Sequence, residues 1–136
     1  MVWSTDRAST WYAAQGEWKQ GVNYVPSYAA NQIQMWQDYD ADHIRRELTW
    51  AADLGYNALR VFLHDQLYTV HGSDFLDRVD DFLDLAHGLG FQTILVLLEG
   101  MYVFDGLIDR LVTRLYRYKS TGINVYSVLN ILCLFG

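Results

Sequence analysis

Four histidines, three glutamates and one cysteine are the residues of this chain with most scope for chemistry. The histidines, His43, His64, His71 and His87, fall on a helix start, a strand end, a loop and a helix end. None stands at the H-x-x-x-H spacing that brings two imidazoles to one metal, so no metal site is expected. His64-Asp65 has the order of a metal phosphohydrolase dyad, but that chemistry sits on helices with further histidines, whereas this pair ends a strand-like run. Cys133, alone in an apolar stretch, reads as a small buried hydrophobe and can form neither an internal disulfide nor a cysteine cluster. No glycine-rich phosphate loop follows the first strand-like run, which disfavours a nucleotide site; no cofactor is expected.

Charge and aromatic content narrow the ligand class. The 136 residues carry a formal charge of −6, the wrong sign for a phosphate backbone, so nucleic acid is not an expected partner. The longest nearly apolar run, Ile123 to Phe135, is shorter than the ~20 residues of a membrane span. Arg110, Arg114, Arg117 and Lys119 form a basic stripe that reads as solvated charge on a packed helix rather than a membrane surface. No signal-peptide pattern opens the chain. Aromatics reach 15%, and all five tryptophans, Trp3, Trp11, Trp18, Trp36 and Trp50, lie in the first 50 residues. Flat rings with a polar edge suit either a core or the C–H face of a sugar.

These side chains have to be positioned by alternating strands and helices. Gly21 to Val25 is strand-like and stops at Pro26, which cannot donate to a ladder. A long polar and aromatic loop then runs to Tyr39. Asp40 or Asp42 caps a helix with Ile44, Leu48, Ala51 and Ala52 on one face, and Gly55 stops it. Tyr56 to Leu63 is a nearly continuous apolar run, the pattern of a strand covered on both faces in a parallel sheet. Ser73 or Asp74 caps a second helix, with Phe75, Val79, Phe82, Leu83 and Ala86 inward and Asp77, Asp80, Asp81 and Asp84 on a solvated acidic face. After Gly88 and Gly90, Phe91 to Leu98 is a third strand.

The strand markers Val22, Ala58 and Thr93 recur roughly every 35 residues, the length of one strand–helix unit. Two architectures repeat this way, the (β/α)8 barrel and the doubly wound sheet. Beyond residue 100 the charge balance reverses, from 14 acids and 6 bases before it to 2 acids and 4 bases after it. Residues 99–136 therefore read as a divergent tail: a third helix and fourth strand of the same series, or sequence foreign to it.

Four stretches carry a resemblance between Trp11 and Leu98. They are Gly21-Val22-Asn23-Tyr24-Val25-Pro26-Ser27, Asn31-Gln32-Ile33-Gln34-Met35-Trp36, Glu47 to Asn57, and Leu59-Arg60-Val61-Phe62-Leu63-His64-Asp65. In this order and spacing they resemble the N-terminal part of glycoside hydrolase family 5-like, cellulase-type enzymes. The resemblance implies an α/β fold, the first three to four units of a TIM (β/α)8 barrel with parallel strands, residues 1–98 being the barrel part. It implies a β-linked glycan as partner, and members of the family are often secreted.

The site residues follow from the resemblance. Arg60 is similar to the family arginine that keeps the nucleophilic carboxylate ionised, which a guanidinium in hydrogen-bond reach does. His64, at the C-terminal end of the strand that carries Arg60, would face a sugar hydroxyl, Asn31 and Trp36 resemble subsite residues of the first loop, and Glu99 follows the third strand. The family mechanism needs two carboxylates ~5–5.5 Å apart in retaining enzymes. In relatives the acid/base follows an asparagine at the end of strand four and the nucleophile ends strand seven. Here Glu17 and Glu47 lie before the first strand and on the first helix, and Leu129 to Cys133 holds no Asn-Glu pair. The expectation is a fragment inactive alone, since a closed barrel takes roughly 250 residues. The alternative is a non-catalytic carbohydrate-binding or scaffold half-barrel that self-associates through its open strand edges.

Overall fold

The computed structural model describes residues 4–14, 18–96 and 125–128. In chain order they form α1 (Thr5–Ala14), β1 (Gly21–Asn23), α2 (Gln32–Gln37), α3 (Ala41–Asp53), β2 (Ala58–Phe62), α4 (Asp65–His71), α5 (Ser73–Gly88), β3 (Gln92–Val96) and β4 (Val125–Val128). The four strands make one sheet in the order β1-β2-β3-β4, all pairs parallel. Sequential parallel neighbours joined through helices are the repeating unit of a (β/α) barrel. The reversal of strand order that marks a doubly wound sheet does not occur among the described strands.

Alternation along the strands separates two faces. Leu59, Val61, Leu63 and Leu95 are buried and cluster with Ile44 and Leu48 of α3 and with Phe75, Val79, Phe82, Leu83 and Ala86 of α5. Arg60, Phe62, Gln92 and Ile94 point to the other face and are half-buried. The expected inward face of each long helix is therefore the observed one. The register places Asn23, Arg60 and Ile94 in one row across the sheet, with Phe62 beside Val96 one step further on.

Both long helices turn back into strands through a left-handed glycine, Gly55 at φ 90° and Gly90 at φ 86°, which other residues adopt at a cost. Beyond these turns the strand starts are tied by Asn57. Its backbone N–H donates to Gln20 O (3.0 Å) and its carbonyl accepts from Gln92 N (2.9 Å). Its side chain accepts from Gln20 N (2.9 Å) and donates to Trp18 O (3.0 Å).

Three details differ from the sequence reading. The loop after β1 contains a helix, α2, and the chain after β2 contains another, α4. The N-cap of α5 is neither Ser73 nor Asp74 but Gly72, at φ 53° and with no side-chain cap. The acidic face of α5 is not wholly given to solvent, because Asp81 accepts a hydrogen bond from Tyr39 at 2.8 Å. Of the alternatives Asp40 and Asp42, Asp40 caps α3, its carboxylate accepting from His43 N at 2.9 Å.

Candidate sugar-binding face

The C-terminal strand ends of a barrel carry its chemistry because the loops that leave them converge on one side. Arg60 lies at the centre of β2, with its guanidinium carbon 4.8 Å from the centroid of Phe62 two residues on. Stacking on the ring limits the orientations open to the guanidinium and leaves its edge donors for an acceptor. His64 follows two residues beyond the end of β2, in extended backbone. His64 is also the N-cap of α4, its Nδ1 accepting from Gln66 N at 3.3 Å. In the neutral ring this places the proton on Nε2.

The loop between β1 and α3 is built from short-range caps around one buried ring. Asn31 caps α2 by accepting from Gln34 N at 3.0 Å, and the Gln34 side chain returns a bond from Ala30 N at 2.9 Å. Tyr28 donates its hydroxyl to Met35 O and accepts from Asp40 N, both at 3.3 Å. At the centre, Trp36 is 0% exposed. Its indole stacks on Tyr39, meets Phe75 and Phe82 edge-on, and donates Nε1–H to Phe62 O at 2.9 Å. A ring so enclosed has no face left for a sugar. Trp36 instead ties the loop to the strand that carries Arg60. Burial and the bond to Asp81 together push the Tyr39 phenol well above its usual range.

Arg78 of α5 completes this region by donating to the backbone carbonyls of Trp36 and Gln37 at the end of α2. A cation there satisfies carbonyls that the helix leaves without partners and meets the negative end of its dipole. Replacing Arg78 by Met, which keeps the aliphatic stem, is expected to lower stability by about 1.5–3 kcal/mol, the worth of a hydrogen bond to a charged group. The midpoint of urea unfolding reads the loss.

Behind β1, Glu47 of α3 accepts from the Tyr24 hydroxyl (2.9 Å), from Ser27 N (3.2 Å) and from His43 Nε2 (3.0 Å). Burial works against the carboxylate, but the bonds from Ser27, Tyr24 and His43 outweigh it and hold Glu47 below the usual range. Burial and the same carboxylate push the Tyr24 phenol up. Folded Glu47 thus takes up its proton at lower pH than unfolded Glu47. Its stabilisation is complete above the ordinary value of about 4.5 and is lost as pH falls through the folded one. In Glu47→Gln the drop in unfolding midpoint between about pH 7 and about pH 3.5 should be smaller than in the parent chain.

Arg60 thus lies on β2 and His64 two residues past its end, while Asn31 caps and Trp36 fills the neighbouring loop. Glu99, Glu17 and the Asn130 region lie outside the described residues. Phe62 beneath Arg60 and the Glu47 cluster were not singled out from sequence. The i, i+2 spacing of Arg60 and Phe62 and the i, i+4 spacing of His43 and Glu47 were the available signals. Among the described residues no group of three or more histidine, cysteine, aspartate or glutamate side chains could hold a metal ion, and no helix is long and apolar enough to cross a membrane.

No protein-family model matches the chain, and no curated protein does. Solved structures do. An exo-β-1,4-mannosidase from an Opitutaceae bacterium superposes with a TM-score of 0.58 at 21% identity, over 77% of this chain and 23% of that one. A GH5_18 variant from Bifidobacterium longum subsp. longum, in complex with Manβ1-4GlcNAc, superposes at 0.56 and 23% identity over 63% of this chain and 21% of that one. The chain has the fold of a partial glycoside hydrolase family 5 barrel. A GH5_18 structure from Streptomyces cattleya, in complex with GlcNAc, superposes on the partial barrel at 0.51 and 28% identity, over 62% of this chain and 21% of that one. The partial barrel spans about a fifth of the length of these solved chains.

Proposed function

We propose that this partial barrel supplies one wall of a β-glycoside site in a retaining glycoside hydrolase, and that it does not hydrolyse glycans by itself. The observation that carries the reading is the row Asn23–Arg60–Ile94 on the sheet face opposite the α3 and α5 core, with Phe62 under the guanidinium. In a barrel this is the inward face, and its C-terminal end is where substrate binds. The sugar complexes of the Bifidobacterium and Streptomyces structures favour the same ligand class.

Arg60 would hold a catalytic carboxylate in its ionised form, and His64 would bond a sugar hydroxyl through Nε2–H. Asn31 would reach the sugar with its amide N–H while its oxygen caps α2, and Glu99 would accept from a hydroxyl. Trp36 would fix the loop from behind. A glycosidic bond breaks only when a second group protonates the leaving oxygen opposite a nucleophile or base. Glu47, committed to Tyr24, Ser27 and His43, is unsuited to either part.

Incubation of the purified 136-residue chain with β-glucan, mannan, xylan and Manβ1-4GlcNAc should release no sugar above the uncatalysed background. Appreciable turnover of any of them would overturn the proposal. The alternative, a binding half-barrel, draws on the half-buried state of Arg60, Phe62 and Ile94 and on β1, which pairs on one side only among the described strands. Sedimentation decides for it if the chain forms a cooperatively melting dimer.

A further inference from the structure

Tyr24, Ser27, His43, Arg46 and Glu47 form one hydrogen-bonded cluster between the loop after β1 and the first turns of α3. Its Tyr24 meets the Arg60 strand only through the backbone in the described bonds, Tyr24 N donating to Arg60 O at 2.9 Å, and nothing in sugar cleavage requires its side chains. Nδ1 of His43 lies 2.9 Å from a guanidinium nitrogen of Arg46. A guanidinium only donates, so Nδ1 must offer its lone pair and the single proton of the neutral ring sits on Nε2. That Nε2–H faces Glu47 Oε1 and Ser27 Oγ, each at 3.0 Å. The arrangement has the residue types of a serine–histidine–acid relay but not its wiring: the nitrogen beside Ser27 already carries a proton and cannot take another from the hydroxyl.

The wiring makes a switch instead. A second proton can enter the ring only at Nδ1, the position to which Arg46 donates. Its arrival sets two cationic donors face to face, and the bond between them breaks. At the opposite edge the imidazolium gains a charge-assisted bond to Glu47. Arg46 touches a second partner at the same time: its guanidinium carbon lies 5.8 Å from the ring centroid of Trp50 one turn along α3, and that indole is 59% exposed.

We propose that His43 is a proton-operated switch that releases the Arg46 guanidinium from the imidazole and leaves it on the face of Trp50 alone, while the tie from Glu47 to Ser27 stays closed. The groups facing His43 divide on this. On its own helix and cap, Glu47 and the Asp40 carboxylate favour the second proton and Arg46 opposes it. From the loop, Tyr24 reaches it only through Glu47, and the Tyr28 ring meets the imidazole edge-on at 5.2 Å. Arg46 is exposed on a long flexible stem, whereas Glu47 is held by two further donors, so Arg46 is the partner that yields. The inference does not depend on what the strand-end site binds.

Long-range proton–nitrogen correlation spectra of the 136-residue chain, recorded from about pH 8 down to about pH 5, test it. At the upper end the His43 ring should show a bare Nδ1 and a protonated Nε2. On acidification the Trp50 indole N–H resonance, assigned with Trp50→Phe, should move with the same midpoint as His43. That movement should be lost in Arg46→Met. A proton on Nδ1 at the upper end, a stationary Trp50 signal while His43 titrates, or a movement that persists in Arg46→Met would each overturn the switch.

Discussion

Trp36→Ala is expected to remove about 3–5 kcal/mol of stability, the usual cost of deleting a fully buried aromatic side chain. The indole is wholly enclosed, and three other rings, Tyr39, Phe75 and Phe82, pack against it. Deletion leaves a cavity where the loop, α5 and the end of β2 meet, and leaves Phe62 O without its donor. Domains hold only about 5–15 kcal/mol in reserve, so the substitution would consume a large part of it. Trp36→Phe keeps most of the apolar volume and loses the bond to Phe62 O, so a drop of about 1–3 kcal/mol is expected. Urea unfolding followed by far-ultraviolet circular dichroism measures both. A loss below about 1 kcal/mol for Trp36→Ala would return this residue to the surface role that its place in an aromatic loop suggested.

The second large effect separates the two faces of the sheet with neighbouring residues. Leu95 is 0% exposed within the α3 and α5 core, whereas Ile94 lies half-buried in the row with Arg60. Leu95→Ala should cost about 2–5 kcal/mol. Ile94→Ala removes the same number of apolar carbons, but from a side chain that water already reaches, and it should cost under about half as much. The denaturation midpoints of the two variants decide it, since the slopes should be nearly alike. Equal losses would mean that both faces are core, and the face assigned to substrate would have to be given up.

What could be read in advance follows the length of the signal. The apolar runs around β2 and β3 and the periodic faces of α3 and α5 extend over several turns or strand steps, so burial imprints them directly on the sequence. The six-residue α2 and seven-residue α4 are too short to show a period. They are held by Asn31, Gln34 and His64 at their starts and, for α2, by Arg78 from a distant helix. Gly72 takes the cap of α5 because the chain reverses between α4 and α5 through a positive φ, which Ser73 and Asp74 do not indicate. Asp81 looked solvated because its partner Tyr39 is 42 residues away and helix spacing says nothing of it.

The site was legible in kind more than in geometry. The position of Arg60 on the second strand follows from the motif around it. Its seat on Phe62 is a property of the pleat, which sets residues i and i+2 on one side. Trp36 shows the limit of residue type as a guide: tryptophan serves a sugar face and a core equally well, and only packing distinguishes them. The exposed tryptophans of the described chain are Trp18 and Trp50, at 72% and 59%, one before β1 and one on the outer side of α3.

The central claim is that the Arg60 face of the partial barrel is the face that meets sugar. Titration of the isotope-labelled chain with Manβ1-4GlcNAc, followed by side-chain resonances of Arg60, Asn23 and His64 and by the indole signals of Trp18 and Trp50, tests it most directly. The account predicts saturable shifts, with a dissociation constant on the order of millimolar, at Arg60, Asn23 and His64 and none at the two exposed indoles. Shifts centred on Trp18 or Trp50 with Arg60 unmoved would contradict it.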